Sequence, residues 1–342
     1  MLTILADDLT GTLDSAAPFA ARGMHVEVAL EVEAIAEAIG ERPEVLAINL
    51  ASREISAEAA RRQVKAALAA VPAGTRLFKK VDSRLKGHIA AELDAMSFEA
   101  VLVAPAIPAF GRIVKDGHVT GFGVDTPISV AGKLGTHAAR ATVPDIARQS
   151  EMKDWLERAG EAGIDLLVGA RGLAEALAER MSGNAAAVAA EIPAGPGLFV
   201  IGSRDPITLA QIEALRSDGD LRYLRAPNGR LADARADGSA LTLVQAVAGE
   251  ADVTSAEVSQ ALAESVCPAL TDVASTLLFS GGATAEALLK TMGIVRFRLL
   301  GECLPGLGLA HAQGHCIIAK SGGFGQPDTL QEIARRLRRK TE

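Results

Sequence analysis

Hydrophobic and polar positions alternate between two periods along this chain. Short β-rich runs ("MLTILA", "HVEVAL", "VLAINL", "RLFKKVD", "AVLVAPA") are separated by stretches where small and apolar residues recur at helical spacing, such as "LDSAAPFAARG", "EAIAEAIG", "SAEAARRQVKAALAAV" and "IAAELDAM". Such alternation predicts an α/β fold, a mainly parallel sheet with helices on both faces. Ligands of such sheets sit beyond the carboxyl ends of the strands, so the polar residues at those ends are the first to inspect.

The pattern breaks at "EIPAGPG", residues 191–197, where prolines and glycines end an Ala-rich run that reads as helical, and "LFVIGS" then begins a new strand. The break divides the chain into domains over 1–194 and 195–342. The second half reads as "TLAQIEAL" helix, "RYLRA" strand, a loop around "PNGRLADARADGS", an Ala-rich helix, "TLLFSGG", "TAEALLKTMG", a strand at "RFRLLG", "CIIAKSGGFG" and a last helix from Pro327. It is α/β as well. No internal repeat of fixed period is visible.

Composition narrows the function classes. The 342 residues are 49% hydrophobic and 23% charged, a globular balance, and with 3% aromatics the core must be built from Ala, Leu, Val and Ile. A net charge of -7 argues against nucleic acid as a partner, and the basic end "RRLRRK" reads as a solvated helix terminus. Cys267, Cys303 and Cys316 have neither disulfide nor zinc spacing and read as buried thiols of a reducing compartment. With neither a signal peptide nor an uncharged apolar run long enough to span a bilayer, the expectation is a cytoplasmic protein with no membrane partner.

Candidate chemistry lies at predicted strand ends. Asp7 and Asp8 end the first strand, and Thr10, Gly11 and Thr12 open a helix beside them, an anion- or hydroxyl-binding corner. Strand alternation sends the two acids in different directions, with Asp7 expected to cap the helix and Asp8 to face a cleft. Their mutual repulsion predicts that neutralising either leaves the fold at least as stable, and something elsewhere in the fold should compensate it. "KKVDSRLKG" at 79–87 and Ser52–Arg53 end two further strands, and cations, carboxylates and hydroxyls together suit a small polyhydroxylated acid. In the second half, "GSRDPIT", "SGGATAEALL", "GECLPGLGL" and "KSGGFGQPD" are Gly-rich turns after apolar strands, where backbone N–H groups can approach phosphate. None is a Walker A loop or a dinucleotide fingerprint.

These residues resemble the four-carbon acid sugar kinase family, whose members phosphorylate tetronates such as D-threonate, D-erythronate and 3-oxo-tetronates. The resemblance spans nearly the whole chain and rests on "ADDLTG" (6–11), "SR" (52–53), "KKVDS" (79–83), "APAIPAFGR" (104–112), "VGARGLAEALA" (168–178), "IGSRDPIT" (201–208), "SGGATA" (280–285), "GECLPG" (301–306) and "AKSGGFG" (319–325). It implies a sugar-acid-binding N-terminal domain, an ATP-binding C-terminal domain and an active-site cleft between them. It also implies transfer of the γ-phosphoryl group to a hydroxyl, expected to be the terminal one. Asp8 and Asp82 are the catalytic candidates, with Asp8 as base or hydroxyl orienter. Asp7, Ser52, Arg53, Lys80, Ser83 and Arg112 are the candidates to hold the acid. Ser203, Gly281, Gly282, Thr284, Gly322, Gly323 and Gly325 are expected to line the nucleotide. Mg2+ is expected with ATP, its ligands unidentified.

The chain departs from the family pattern in three places. Arg84 and Lys86 stand where Thr and Arg are usual, Ala283 replaces an acid, and the region between Gly121 and Asp165 is shorter, with Asp145 the match to a family element. Ala283 favours the rival reading, a catalytically silent pseudokinase. A nucleotide-dependent lyase or dehydrogenase would need a cofactor fingerprint that is absent. The identity of the four-carbon acid and the existence of a homo-oligomer stay open.

Overall fold

A computed structural model of the protein describes residues 1–338, so Arg339 and Lys340 of the basic end lie outside the described residues. The chain forms two compact units, Met1–Val188 and Ala189 onward.

The first unit contains strands β1 (Leu2–Ala6), β2 (Val26–Ala29), β3 (Val45–Asn49), β4 (Arg76–Lys80), β5 (Val101–Ala104), β6 (Arg112–Lys115), β7 (His118–Gly121), β8 (Ile128–Ser129), β9 (Ala141–Thr142) and β10 (Leu166–Gly169). Its helices are α1 (Leu9–Ala20), α2 (Ile35–Gly40), α3 (Ala57–Ala70), α4 (Ile89–Leu93), α5 (Val130–Leu134), α6 (Gln149–Glu161) and α7 (Arg171–Met181). The strands run parallel in the order β2-β3-β1-β4-β10-β5-β9. Every residue of β1, β2, β3 and β5 is buried, as expected of strands covered on both faces. The chain leaves β1 for β2 and β3 on one side, then crosses to β4 on the other. The ends of β3, β1 and β4 therefore lie side by side where the winding reverses, the place at which open α/β sheets bind ligands.

One element is not legible in the sequence pattern: β6, β7 and β8 form a small antiparallel sheet inserted after β5. It carries Arg112 on its first strand.

The Ala-rich run at 184–191 is not helical. Gly183 and Asn184 both adopt left-handed backbone (φ +65°), which stops α7 after Met181 whatever the helix propensity of the alanines that follow.

The second unit contains β11 (Gly197–Ile201), β12 (Arg222–Pro227), β13 (Leu241–Val247), β14 (Thr276–Ser280), β15 (Arg296–Leu304), β16 (Leu307–Ala312) and β17 (His315–Lys320), with α8 (Pro206–Ser217), α9 (Ser255–Val266), α10 (Gly282–Thr291) and α11 (Thr329–Arg338). The order is β12-β13-β11-β14-β17-β16-β15, parallel through β17 and antiparallel beyond it. Phe199, Ile201, Leu243, Leu278, Leu309, Ile318, Ile333 and Leu337 form its core. The "GECLPGLGL" segment, read as a Gly-rich turn after a strand, is a β-hairpin: Gly306 at the turn has φ +78° and abuts the Phe324 ring. Among the described residues no helix is long and apolar enough to cross a membrane.

Candidate functional site

The compensation for the paired acids is Arg53. From the turn after β3 its Nε donates to Asp7 Oδ2 (2.8 Å), Nη1 to Asp8 Oδ2 (2.8 Å), and Nη2 to both Asp7 Oδ1 (2.9 Å) and Asp8 Oδ1 (2.7 Å). Burial alone would raise the Asp7 pKa. The Arg53 hydrogen bonds and the charges of Lys79, Lys80 and Arg53 outweigh it and hold the carboxyl below the usual range. Burial likewise disfavours the Arg53 charge, but its hydrogen bond to Asp7 and the charges of Asp8, Asp7 and Asp82 raise its pKa.

The helix cap is Asp8, not Asp7. Asp8 Oδ1 accepts from Gly11 N (3.0 Å) and its Oδ2 from Thr10 Oγ1 (2.6 Å), while Asp7 points into the sheet end and is buried. Together with the two Arg53 bonds these contacts fill the four acceptor positions of the Asp8 carboxylate. Gly87, at φ +85°, lies over Asp7, and a Cβ there would stand 2.8 Å from Asp7 Oδ2.

The adjacent lysines of β4 separate by strand alternation. Lys79 is fully buried and pairs with Glu92 Oε2 of α4 at 3.0 Å, and Ser52 Oγ donates to Glu92 Oε1 at 2.5 Å. Ser52, expected beside the ligand, is thus committed to an internal network with no exposed surface. Lys80 points the other way, to the first turn of α1. A Cβ on Gly11 would stand 2.9 Å from Lys80 Nζ and 2.4 Å from Asp8 Oδ1. The Lys80 ammonium is buried, yet among the described residues it donates no hydrogen bond and meets no carboxylate within 4 Å.

Asp82 begins the loop after β4. Its Oδ1 accepts from Arg84 N (2.9 Å), while Oδ2 has only Arg53 Nη2, at 4.0 Å. Ser83 Oγ accepts from Arg112 Nη1 (2.5 Å), and Arg112 is fixed by Phe122 O through Nε (3.0 Å) and Nη2 (2.9 Å). Burial and the neighbouring Arg84 charge lower the Arg112 pKa, against the pull of Asp82. Asp7, Asp8, Arg53, Lys80, Asp82, Ser83 and Arg112 therefore come together at the three strand ends. Glu92 is the residue the sequence reading lacked; its helical run gave no sign that a carboxylate was turned inward.

In the second unit the ends of β11 and β14 frame a cavity of about 300 Å³. Its wall includes Ser203, Arg204, Gly281, Gly282, Thr284 and, from α9, Ser259. Gly281 caps α10 with φ +107° and without a side-chain hydrogen bond, leaving the first-turn N–H groups uncapped by protein. Not every predicted N–H is free: Gly202 and Ser203 N donate to Ser280 O, and Gly281 N to Lys320 O (3.0 Å). A Cβ on Gly202 would stand 2.0 Å from Thr284 Oγ1, so this glycine makes room for Thr284 rather than for a ligand.

Gly322, Gly323 and Gly325 do not line the cavity. The places where their side chains would lie are taken by Ser203, Asp205 and, for Gly325 (φ +92°), Thr329 and Gln211. Behind that turn Lys320 is buried, a second cation that the sequence reading passed over within a Gly-rich segment. A glycine cradle beside an uncapped helix start fits a phosphate group. A protein-held Mg2+ does not fit: the cavity wall has no carboxylate, and among the described residues no cluster of three His, Cys, Asp or Glu could hold a metal.

Two α/β units, one with a buried acid–cation cluster and the other with a glycine-framed cavity, each at strand carboxyl ends, define a two-domain protein for small polar ligands. Comparison with known proteins agrees. Residues 2–192 match the family model described as a sugar-binding N-terminal domain, and 232–330 match that of a nucleotide-binding C-terminal domain. The chain belongs to the four-carbon acid sugar kinase family, which these domains define. A D-threonate kinase of Bordetella bronchiseptica is 28% identical over 404 residues, covering 98% of this chain and 97% of the relative. A 3-oxo-tetronate kinase of Cupriavidus necator is 28% identical over 420 residues, with the same coverage of 98% and 97%. A crystal structure of a Haemophilus influenzae protein shares the fold, with a TM-score of 0.70 at 18% identity over 98% of this chain and 100% of that one.

Proposed function

We propose that this protein is an ATP-dependent kinase that phosphorylates a hydroxyl of a four-carbon sugar acid, the terminal one by family resemblance. The names of the relatives, D-threonate kinase and 3-oxo-tetronate kinase, support the substrate class. The observation that carries the reading is a charge count in the first unit. Arg53 is absorbed by Asp7 and Asp8, and Lys79 by Glu92. Among the described residues at these strand ends, Arg84 and Lys86 are exposed and Arg112 is held by Ser83 Oγ and Phe122 O, so Lys80 is the buried cation without a hydrogen bond, and Asp82 Oδ2 has no partner closer than Arg53 at 4.0 Å. A hydroxy acid supplies both complements: its carboxylate for Lys80 and a hydroxyl proton for Asp82.

In this reading Lys80 binds the substrate carboxylate, and Ser83 and Arg112 close the site around it. Asp82 orients the attacking hydroxyl and takes its proton. Asp8, its acceptor positions filled, fixes Arg53 and the start of α1 instead. ATP supplies the γ-phosphoryl group, its phosphates meeting the N–H groups of Gly282, Ala283 and Thr284, with Arg204 on the cavity wall. A Mg2+ ion accompanying ATP would draw its ligands from phosphate oxygens and water. The protein's contribution is then alignment and charge stabilisation, which is what phosphoryl transfer chiefly demands.

The deciding experiment is a coupled ADP-release assay over a panel of four-carbon acids. Release that depends on a tetronate is the expected result. ATP and acid binding by calorimetry without ADP release from any of them would establish the silent, pseudokinase reading that Ala283 favours. Thermal stabilisation by NAD alone would overturn both.

A further inference from the structure

Lys320, the last residue of β17, is 1% exposed and, among the described residues, meets no carboxylate within 4 Å. Its Nζ donates to three neutral oxygens: Thr208 Oγ1 of α8 (2.9 Å), Ser321 O (3.1 Å) and Gly322 O (3.2 Å). Thr208 Oγ1 in turn donates to Gly322 O at 2.6 Å. The ammonium thus spends all three hydrogens on the join between α8 and the turn after β17. That turn rests on the cavity wall, for a Cβ on Gly322 would come within 2.2 Å of Ser203 Oγ. The backbone carbonyl of Lys320 meanwhile accepts from Gly281 N, on the same wall.

A buried ammonium without a counter-ion is costly, and an apolar side chain of similar volume would suit the fold better. Its presence there calls for a reason other than stability. We propose that Lys320 is a positioning residue for nucleotide binding: its side chain ties the turn after β17 to the start of α8 and so holds Ser203 in place on the cavity wall. This proposal rests on the nucleotide reading of that cavity.

The tie is sensitive to pH. Burial pushes the Lys320 pKa down to about 8, against the charge of Asp205, the cap of α8; the groups that the ammonium hydrogen-bonds, Thr208 Oγ1, Ser321 O and Gly322 O, carry no charge. A neutral amine has two hydrogens for three acceptors, so the turn loosens as pH rises through about 8. Global stability moves the other way. The folded pKa lies below the unfolded one, so above pH 8 the unfolded chain binds the extra proton and this group makes stability rise with pH. A merely structural lysine would not lower affinity while stability holds or rises.

The test measures ATP affinity and melting temperature between pH 7 and 9.5 for wild type, Lys320→Met, Thr208→Val and Thr208→Ser. Wild type should lose roughly tenfold in affinity across the range while its melting temperature does not fall, and Thr208→Ser should behave like it. Lys320→Met should bind ATP some 10- to 100-fold more weakly at pH 7, with a flat pH profile and unchanged sugar-acid affinity. Thr208→Val should show an intermediate loss and decides the matter if Lys320→Met does not fold. Normal ATP affinity in folded Lys320→Met, or in Thr208→Val, would overturn the role of Lys320 while leaving the nucleotide reading intact. Failure of wild type to bind ATP at any pH would overturn the nucleotide reading, and this proposal with it.

Discussion

Arg53 grips Asp7 with two parallel donors, Nε to Oδ2 at 2.8 Å and Nη2 to Oδ1 at 2.9 Å, and turns its remaining face to Asp8. Breaking such a pair strands a buried charge. Arg53→Ala and Asp7→Asn should therefore each destabilise the protein, the former by about 3–5 kcal/mol in denaturant unfolding. This reverses the expectation that relieving the acid–acid repulsion helps the fold, because the repulsion is already neutralised. Arg53→Lys should not rescue, since a point charge cannot span four carboxylate oxygens. An unchanged unfolding midpoint in Arg53→Ala would show that the pair contributes nothing.

The same pair sets an acid limit. The Asp7 pKa is lowered in the folded state, so its contribution is fully present above the unfolded carboxylate value and is lost as pH falls through the folded one. Melting temperature should be insensitive to this group from pH 7 to about 5 and fall below about pH 4. Asp7→Asn should start lower and fall less steeply over that interval. Parallel curves for the two proteins would mean that another acid governs the limit.

Much of this was legible in the sequence, and the limits have physical causes. Apolar strands with acids and cations at their ends located the three neighbouring strand ends, because parallel sheets put such residues there. Which of Asp7 and Asp8 caps α1 was not legible, since the answer turns on Arg53, 46 residues away from Asp7 and unseen by any local pattern. Lys79 and Lys80 look alike in sequence, yet period-2 alternation buries one against Glu92 and turns the other to Gly11. The alanines at 184–191 carry helix propensity, but two left-handed residues before them settle the backbone. Gly-rich turns read as phosphate loops because glycine serves close packing equally well, as it does at Gly202 and Gly322.

Lys79 and Glu92 form a fully buried ion pair that Ser52 completes. Lys79→Met or Glu92→Gln alone should cost about 3–5 kcal/mol, since each leaves the other group uncompensated. Joint replacement, Lys79→Met with Glu92→Met, should cost much less than the two single losses added together. A double-mutant cycle in urea measures this, and additive losses would show that the two do not act as a pair.

Asp82 and Asp8 differ in what their oxygens have left to accept. Asp82→Asn should lower kcat by roughly 10² to 10⁴ with both ligands still bound and the melting temperature unchanged. Asp8→Asn should act mainly on stability, because the amide still caps α1 but loses half of its hold on Arg53. Single-turnover kinetics beside thermal melts separate the two. A dead Asp8→Asn beside an active Asp82→Asn would exchange the roles.

Lys80 and Gly11 are predicted to act as one unit. The ammonium is buried in the niche that the missing Gly11 side chain leaves, within reach of the Asp7 charge but, among the described residues, without a hydrogen bond of its own, so its hydrogens are left for a bound carboxylate. Lys80→Met should raise KM for the sugar acid by about 10- to 100-fold, the worth of a hydrogen bond to a charged group, with ATP affinity unchanged. Gly11→Ala probes the same niche from the other side. Gly11 lies inside α1 with no positive φ, where alanine would ordinarily stabilise the helix by up to about 1 kcal/mol. Its methyl group would instead meet Asp8 Oδ1 at 2.4 Å and Lys80 Nζ at 2.9 Å, so both must move and the niche closes. Sugar-acid binding should be lost in Gly11→Ala while ATP affinity, which the proposed function assigns to the second unit, stays as in wild type. Calorimetry with each ligand reads the two separately. Undiminished acid affinity in both variants would place the substrate carboxylate elsewhere, with Arg112 the next candidate.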